Sequence, residues 1–425
     1  MSQQSKTQNK PLNKSLTLGI FGFGTVGQGL WKALQQSNGL QANVKKICIR
    51  DPYKTRSLPD HHFTTDRRQL LDDPEINVIV ELIDDPEQAW EIVSEALRKG
   101  KAVVTANKKL IADHYAELRE LQEKHGAPLL YEAACCGSIP VIRNLEEYFD
   151  NDLLRGVGGI FNGSTNFILD QIFEAGLTFR KALQTAQRKG FAESDPTLDV
   201  EGFDPCYKLA ILVAHAFGVW VEPAEILRVG IRNVGAPELR YAREKGYRLK
   251  LVARAEVREG KLHAAVLPRF VRESEALYHV GGAYNAVLLE GAFSDVQILQ
   301  GKGAGSLPTG AAVLSDISAL RYDYRYAYRK SDTSGADLSL QDACIDVYFR
   351  YFDPAVLSAI RFEKVFESYR GEDHRFCVAR VRQSELQRFF RKFSGSQVFV
   401  AEVPDSRFEA VDAELEVATP ELAFV

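Results

Sequence analysis

Apolar positions along this chain follow two alternating rhythms. Leu16 to Phe21 is a short, nearly continuous apolar run, the mark of a strand buried on both faces. Val26, Leu30 and Leu34 then recur at helical spacing. Val44 to Ile49 and the run INVIVELI at Ile76 to Ile83 are two further strands, and a helical pattern covers Glu87 to Lys99. Ala102 to Thr105 is a strand, a helix is expected over Asp113 to His125, and another strand over Pro128 to Glu132. Strand–helix alternation sustained this far predicts an α/β fold with a doubly wound parallel sheet. Farther on, Leu209, Leu212, Val213, Ala216 and Phe217 repeat at helical spacing after Pro205. A helix is expected there with Asp204 as its N-cap and Pro205 in its first turn.

The first strand runs directly into GFGTVG, which sets Gly22, Gly24 and Gly27 in a G-x-G-x-x-G pattern. Such glycines allow a tight turn, a close backbone approach to a pyrophosphate and close helix–strand packing. The helix that follows offers free amides and a positive dipole end. The motif alone says little, but a strand before and a helix after are the context it requires. A Rossmann-type dinucleotide site is expected at Gly22, Phe23, Gly24, Thr25, Val26 and Gly27. At the end of the second strand stand Arg50, Asp51, Lys54 and Arg56. An acid there suits the ribose hydroxyls of NAD, whereas Arg50 and Lys54 suit a 2′-phosphate; the cations outnumber the acid, so NADP(H) is favoured with NAD(H) open. Asn107, Lys108 and Glu132 fall at carboxyl ends of strands, the edge where ligands bind in such sheets.

Gly190 to Leu212, GFAESDPTLDVEGFDPCYKLAIL, sets Glu193, Asp195, Asp199, Glu201 and Asp204 ahead of a single cation, Lys208. Asp204 and Lys208 lie one helical turn apart. That spacing fits an ordinary ion pair on a capped helix, and it equally fits a positioned proton donor. Asn162, Ser164, Thr165 and Asn166 form either a turn and cap ahead of a helix ending near Glu174 or part of a site.

A length of 425 residues predicts two or three domains, and 45% hydrophobic with 26% charged residues is an ordinary globular composition. The net charge of −4 gives no field for nucleic acid or an anionic membrane. No run approaches the roughly 18 apolar residues of a membrane span. The polar first residues lack the apolar core of a signal peptide. Cys48, Cys135, Cys136, Cys206, Cys344 and Cys377 show no C-x-x-C spacing, and the eight histidines no H-x-x-x-H. Buried thiols in a reducing, cytoplasmic setting are expected, without structural zinc.

Six motifs in order carry a family resemblance: GFGTVG, VVTANKKLIA (103–112), EAACCGSIP (132–140), GIFNGSTNFIL (159–169), the acidic stretch 190–212 and GKGAGSLPTGAAVLSDI (301–317). Over about residues 16–320 the chain resembles homoserine dehydrogenase. The resemblance implies interconversion of L-aspartate 4-semialdehyde and L-homoserine with NAD(P)(H), on the route to threonine and methionine. Position by position it implies Lys208 as the catalytic lysine and Glu193 and Asp204 as substrate-holding acids. Lys108 is implied near the nicotinamide ribose and substrate, and Gly190 and Gly305 beside the cofactor. A monovalent cation, usually Na+, is implied on backbone carbonyls at Glu132, Cys135, Gly137 and Ile139.

The implied layout is a lead-in over 1–15, a nucleotide domain over 16–145 completed by about 303–320, and a substrate and dimerisation domain over 146–302. A linker over 321–342 and a βαββαβ ACT-like module over 343–425 follow. A homodimer or higher homo-oligomer is the expected assembly, with threonine as an effector of the module or the module serving assembly instead. Three departures stand out: Asp84–Asp85–Pro86 where glycine and a small hydroxyl residue are usual, Cys135, Cys136 and Ser138 in the cation segment, and Asp353–Pro354–Ala355 in place of a D-R-P-G turn. Two alternatives stay open: another amino-acid or semialdehyde dehydrogenase of this layout, and a nucleotide-binding regulator without chemistry.

Overall fold

A computed structural model describes residues 15–40, 42–151, 153–333, 338–393 and 397–404. The expected lead-in up to residue 14 and the last part of the C-terminal module lie outside these residues. Contacts divide the chain into two units: residues 1–150 with 302–329, and residues 151–301 with 330–425.

The first unit is built on six strands: β1 (Leu16–Phe21), β2 (Ala42–Cys48), β3 (Phe63–Thr64), β4 (Val78–Glu81), β5 (Ala102–Thr105) and β6 (Leu129–Leu130). Their order across the parallel sheet is β3-β2-β1-β4-β5-β6, the arrangement of a dinucleotide-binding sheet. Buried on both faces, the central strands are mostly apolar, as in Leu18, Ile20, Val78 and Val80, with the buried Glu81 and Thr105 ending β4 and β5. Helix boundaries follow local chemistry. The Asp85 carboxylate accepts from the Gln88 amide and begins the helix Pro86–Arg98, with the proline at its start. The helix expected over Asp113–His125 spans Tyr115–His125, and a further short helix, Lys108–Asp113, precedes it across a break at His114 (φ −132°, ψ 29°). The strand expected up to Glu132 stops at Leu130 because the chain tightens into a 3-10 turn at Glu132–Ala134.

The helix Ser306–Leu320 returns to this unit and packs on the helix Thr25–Gln36 through two glycines. A Cβ on Gly29 would stand 1.9 Å from the Ser306 carbonyl oxygen, and one on Gly310 2.5 Å from the backbone of Gly29. The tyrosine-rich stretch expected as linker is packed here up to Arg329. Tyr326 and Tyr328 are buried, the Tyr328 and Tyr131 hydroxyls meet at 3.0 Å, and Glu146 accepts from the amides of Ala327 and Tyr328.

The second unit holds one mixed sheet. Its strands are β7 (Leu154–Ile160), β8 (Leu227–Arg228), β9 (Tyr247–Arg258), β10 (Lys261–Arg272), β11 (Tyr284–Gly291) and β12 (Val296–Lys302). β13 (Cys344–Tyr351), β14 (Lys364–Arg370), β15 (Arg375–Arg382) and β16 (Phe399–Glu402) follow. The order is β12-β11-β7-β9-β10-β16-β13-β15-β14, with β8 pairing β10. β16 lies parallel to β10, so the C-terminal strands extend the sheet rather than forming their own. They also share a core with it: Leu227, Ala265 and Leu267 pack with Val347, Phe349 and Val400. Arg350 of β13 seals the junction. Its guanidinium donates to the buried Glu238 at 2.9 Å, to the Gln397 carbonyl at 2.7 Å and to the Asn233 carbonyl at 2.5 Å. No helix among the described residues is long and apolar enough to cross a membrane.

Gly29→Ala is expected to lower the stability of the first unit by about 2 kcal/mol, because the helices must separate to admit the methyl group. Thermal unfolding should show the drop as roughly 5 °C.

Candidate active site

The residues singled out in the sequence divide between the two units. In the first, the glycine turn has the geometry its pattern implies. Gly22 adopts φ +93°, and a Cβ there would stand 2.5 Å from the Leu82 carbonyl oxygen. A Cβ on Gly27 would meet the Gly22 carbonyl oxygen at 2.7 Å, so that glycine lets helix and turn close up. At Gly24 a Cβ would meet nothing within 4 Å, which leaves the backbone open to a ligand. Gly24 caps the helix Thr25–Gln36 without a side-chain acceptor, and no acid lies in the first turn. These features fit the diphosphate of a dinucleotide. Phe23 turns its ring inward against Phe63, so this residue offers its backbone to the turn.

Beyond β2, Asp51 accepts from the Tyr53 amide at 2.9 Å and is committed to its own turn. Arg50 and Lys54 are exposed. Of the Asp84–Asp85 pair, Asp84 is exposed and Asp85 is the helix cap already described, so the departure has a local structural cause. Asn107 caps the helix that Lys108 begins, accepting from the Leu110 amide at 3.0 Å. Gly305, at φ +120°, precedes the helix Ser306–Leu320.

Glu132 is buried and its carboxylate receives the amides of Val141, Ile142 and Arg143 at 2.6–2.9 Å. Burial raises its pKa while these amides oppose the shift. Its side chain is thus committed to the protein, and a cation at Glu132, Cys135, Gly137 and Ile139 would rely on carbonyl oxygens. The backbone there is sharply bent, with Cys136 at φ +55° and Gly137 at +59°. Hard oxygen donors on such a bend fit a monovalent cation.

In the second unit the acidic stretch is sorted by its partners. Asp195 caps the turn at Thr197, and Glu201 pairs with Arg232. Glu193 stays exposed at the surface, while Gly190 takes φ +72° at the end of the preceding helix. Asp204 and Lys208 are buried to 4% and 7% exposure on the helix Phe203–Phe217. Asp204 is not the N-cap. Gly202, at φ +79°, holds that position, and the helix begins two residues earlier than expected. The Asp204 carboxylate is turned instead to Lys208 Nζ at 2.7 Å and to Asn162 Nδ2 at 2.9 Å. Lys208 Nζ also donates to the Phe161 carbonyl at 2.7 Å.

Asn162 does two jobs with one amide. Its Oδ1 accepts from the Thr165 amide and caps the helix Gly163–Ala175. Its Nδ2 donates to Asp199 at 2.6 Å and to Asp204. Asn285, fully buried on β11, donates to the same Phe161 carbonyl at 2.9 Å. Asp199 and Asn285 gave no local signal of this role; the N-G-S-T-N segment hinted at Asn162 only through its capping pattern. Together these groups present an ammonium with fixed direction, held by a carboxylate and a carbonyl. Such a set can give a proton to, or take one from, an oxygen that gains charge.

Comparison with known proteins decides the family. The model for the homoserine dehydrogenase NAD-binding domain matches residues 22–132, and that for homoserine dehydrogenase matches residues 140–318. The chain belongs to the homoserine dehydrogenase family. The homoserine dehydrogenase of Lactococcus lactis is 38% identical over 314 residues, 71% of this chain and 73% of that protein. That of Bacillus subtilis is 35% identical over 321 residues, 73% of this chain and 74% of the relative. Among solved structures, a homoserine dehydrogenase from Thiobacillus denitrificans superposes with a TM-score of 0.81 at 31% identity, covering 92% of this chain and 99% of that one. A hyperthermophilic archaeal homoserine dehydrogenase mutant in complex with NADPH gives a TM-score of 0.63 at 29% identity, covering 73% and 99%. Homoserine dehydrogenases are oxidoreductases acting on a CH–OH group, and this chain shares their nucleotide-binding domain and α/β fold.

Asn162→Ala should cost about 2 kcal/mol in stability, through loss of the cap and of two hydrogen bonds to carboxylates. Homoserine oxidation should fall at least about tenfold as Asp204 loses its orientation. Asn162→Ser should recover much of the thermal midpoint, since serine also caps, but little of the rate.

Proposed function

We propose that this chain catalyses the reversible reduction of L-aspartate 4-semialdehyde to L-homoserine, with Lys208 giving and taking the proton and NADP(H) as the preferred cofactor. The buried Lys208 ammonium, aligned by Asp204 and the Phe161 carbonyl, carries the proposal. A nicotinamide cofactor, when bound, supplies the hydride. Lys208 stabilises the alkoxide oxygen with an N–H bond and passes its proton there; Asp204 and the Phe161 carbonyl fix the direction of the ammonium from which that proton comes. Asn162 keeps Asp204 directed at Lys208. The exposed Glu193 carboxylate suits the ammonium group of an amino-acid substrate. Lys108 is a second cationic group of the site, beside the nicotinamide ribose.

The glycine turn from Gly22 to Gly27 holds the diphosphate, with Gly190 and Gly305 as further cofactor-lining positions. Arg50 and Lys54 support NADP(H): they are exposed beyond β2, whereas the competing acid, Asp51, is committed to the Tyr53 amide. The NADPH bound by the archaeal neighbour agrees with this preference. A sodium ion on the carbonyls near Cys135, Gly137 and Ile139 would brace the loop after β6. A homodimer and a cytoplasmic location complete the proposal, the six free thiols supporting a reducing compartment. The C-terminal order of strand, 3-10 helix, two strands, helix and strand supports an ACT-like module. Its sensitivity to threonine is a property for the same assay.

Lys208→Ala should reduce kcat by at least about a hundredfold while NADP+ binding, followed by protein fluorescence, changes less than about twofold. Wild-type turnover in that variant would remove Lys208 from the mechanism. Arg50→Ala should lower kcat/KM for NADPH about tenfold and leave NADH nearly unchanged, because only the 2′-phosphate loses a partner. An equal loss with both cofactors would contradict the NADP assignment.

A further inference from the structure

Glu81 ends β4 in the middle of the parallel sheet, and its side chain is fully buried. Its neighbours in the sheet are Phe21 of β1 and Thr105 of β5. One carboxylate oxygen accepts from the Ile83 amide at 2.7 Å and the other from the Thr105 hydroxyl at 2.5 Å. Thr105 Oγ1 in turn accepts from the Asn107 amide at 2.9 Å, and Asn107 Nδ2 donates to the Ile83 carbonyl at 3.3 Å. These bonds close a ring through Glu81, Thr105, Asn107 and Ile83. It ties the loop after β4 to the loop after β5, and Lys108 is the next residue along.

The Asn107 amide can only donate, so the Thr105 hydroxyl accepts there and has its hydrogen and one lone pair left for Glu81. With Glu81 ionised, the Thr105 hydrogen points to it and both carboxylate oxygens accept; with Glu81 protonated, the bond runs the other way and the buried Thr105 hydrogen has no acceptor. Burial works against the charge and pushes the Glu81 pKa up to about 7, against the pull of Thr105 and Ile83. Asp84, exposed three residues on, is the charged group acting on it and raises it further; β1 and β5 present Phe21 and Thr105.

We infer that Glu81 is a positioning residue, whose ionised carboxylate holds the Thr105–Asn107 turn and through it sets Lys108 for the reaction. The inference rests on Lys108 belonging to the site. When Glu81 takes a proton from solvent, that bond reverses, the buried Thr105 hydrogen is left without an acceptor, the tie to the turn weakens, and turnover falls. Neither residue meets substrate in this scheme; both act through Lys108.

The test uses the full chain in the semialdehyde-reducing direction from about pH 6 to pH 9. That direction consumes a proton, so a loss of rate on the acid side reports a group that must be ionised. Wild type should lose kcat as pH falls through about 7. Glu81→Gln can accept from Ile83 and donate to Thr105 but cannot accept from it, so it should behave as the acid form at every pH. Its kcat should be about tenfold lower and free of that limb, with KM for NADPH within about twofold of wild type. Stability supplies a second readout. With the folded pKa raised from 4.5 to about 7, the folded protein binds the extra proton between those values. Wild type therefore loses stability as pH rises through that window, and Glu81→Gln should gain on it there.

Thr105→Val should repeat the kcat loss and Thr105→Ser restore it, and this pair carries the test if Glu81→Gln does not fold. Wild-type kcat with the acid limb intact in Glu81→Gln overturns the proposal, as does Thr105→Ser no better than Thr105→Val. Wild-type turnover in Lys108→Ala overturns it through its premise alone. A wild-type protein inert toward the semialdehyde overturns the functional reading before any variant is compared.

Discussion

A lysine ammonium and an aspartate carboxylate buried together are the constraint on which the second unit turns. Removing two charges from water costs several kcal/mol for each unless the remaining hydrogen bonds are satisfied. Here the Lys208–Asp204 contact is joined by the Phe161 carbonyl on one side and the Asn162 amide on the other. Both supports come from the end of β7 and the start of the helix after it. Asn162 can face both carboxylates because its oxygen is occupied in capping that helix. The cap is therefore part of the buried cluster, and the same helix start that Asn162 caps directs the carboxylate facing Lys208.

The first unit solves a different problem, how to expose backbone to an anionic ligand without leaving strain behind. Gly22 and Gly27 let strand, turn and helix approach within distances that a side chain would forbid, while Gly24 leaves the open face. Beside them the loop after β4 presses its Leu82 carbonyl toward Gly22. That loop is held from below by Glu81 and from its far end by the Asp85 cap. Two carboxylates in sequence thus have an architectural use here, and the helix dipole at Pro86 favours the second of them.

Continuity of the second sheet changes how the C-terminal strands relate to the catalytic region. β16 pairs with β10, apolar side chains interleave across the junction, and Arg350 bridges to Glu238 out of reach of solvent. A buried pair of this kind fixes register, because slippage would strand a charge without its partner. The C-terminal strands are thus joined to β10 by backbone pairing, a shared apolar core and a buried ion pair.

Local physics was legible along the chain. Alternating strand and helix periods announced the parallel sheet, the glycine spacing announced the turn, and the one-turn separation of Asp204 and Lys208 announced their contact. Each depends on residues close in sequence, where spacing converts directly into geometry. The helix start was misplaced by two residues because Gly202 and Asp204 both resemble caps, and only the pull of Lys208 and Asn162 decides between them. Asn285 reaches the Phe161 carbonyl across 124 positions, Asn162 reaches Asp204 across 42, and Thr105 reaches Glu81 across 24. No local period encodes these contacts. They exist because strand order and helix packing bring distant residues together, and burial then leaves each polar group only the partner that the fold has placed beside it.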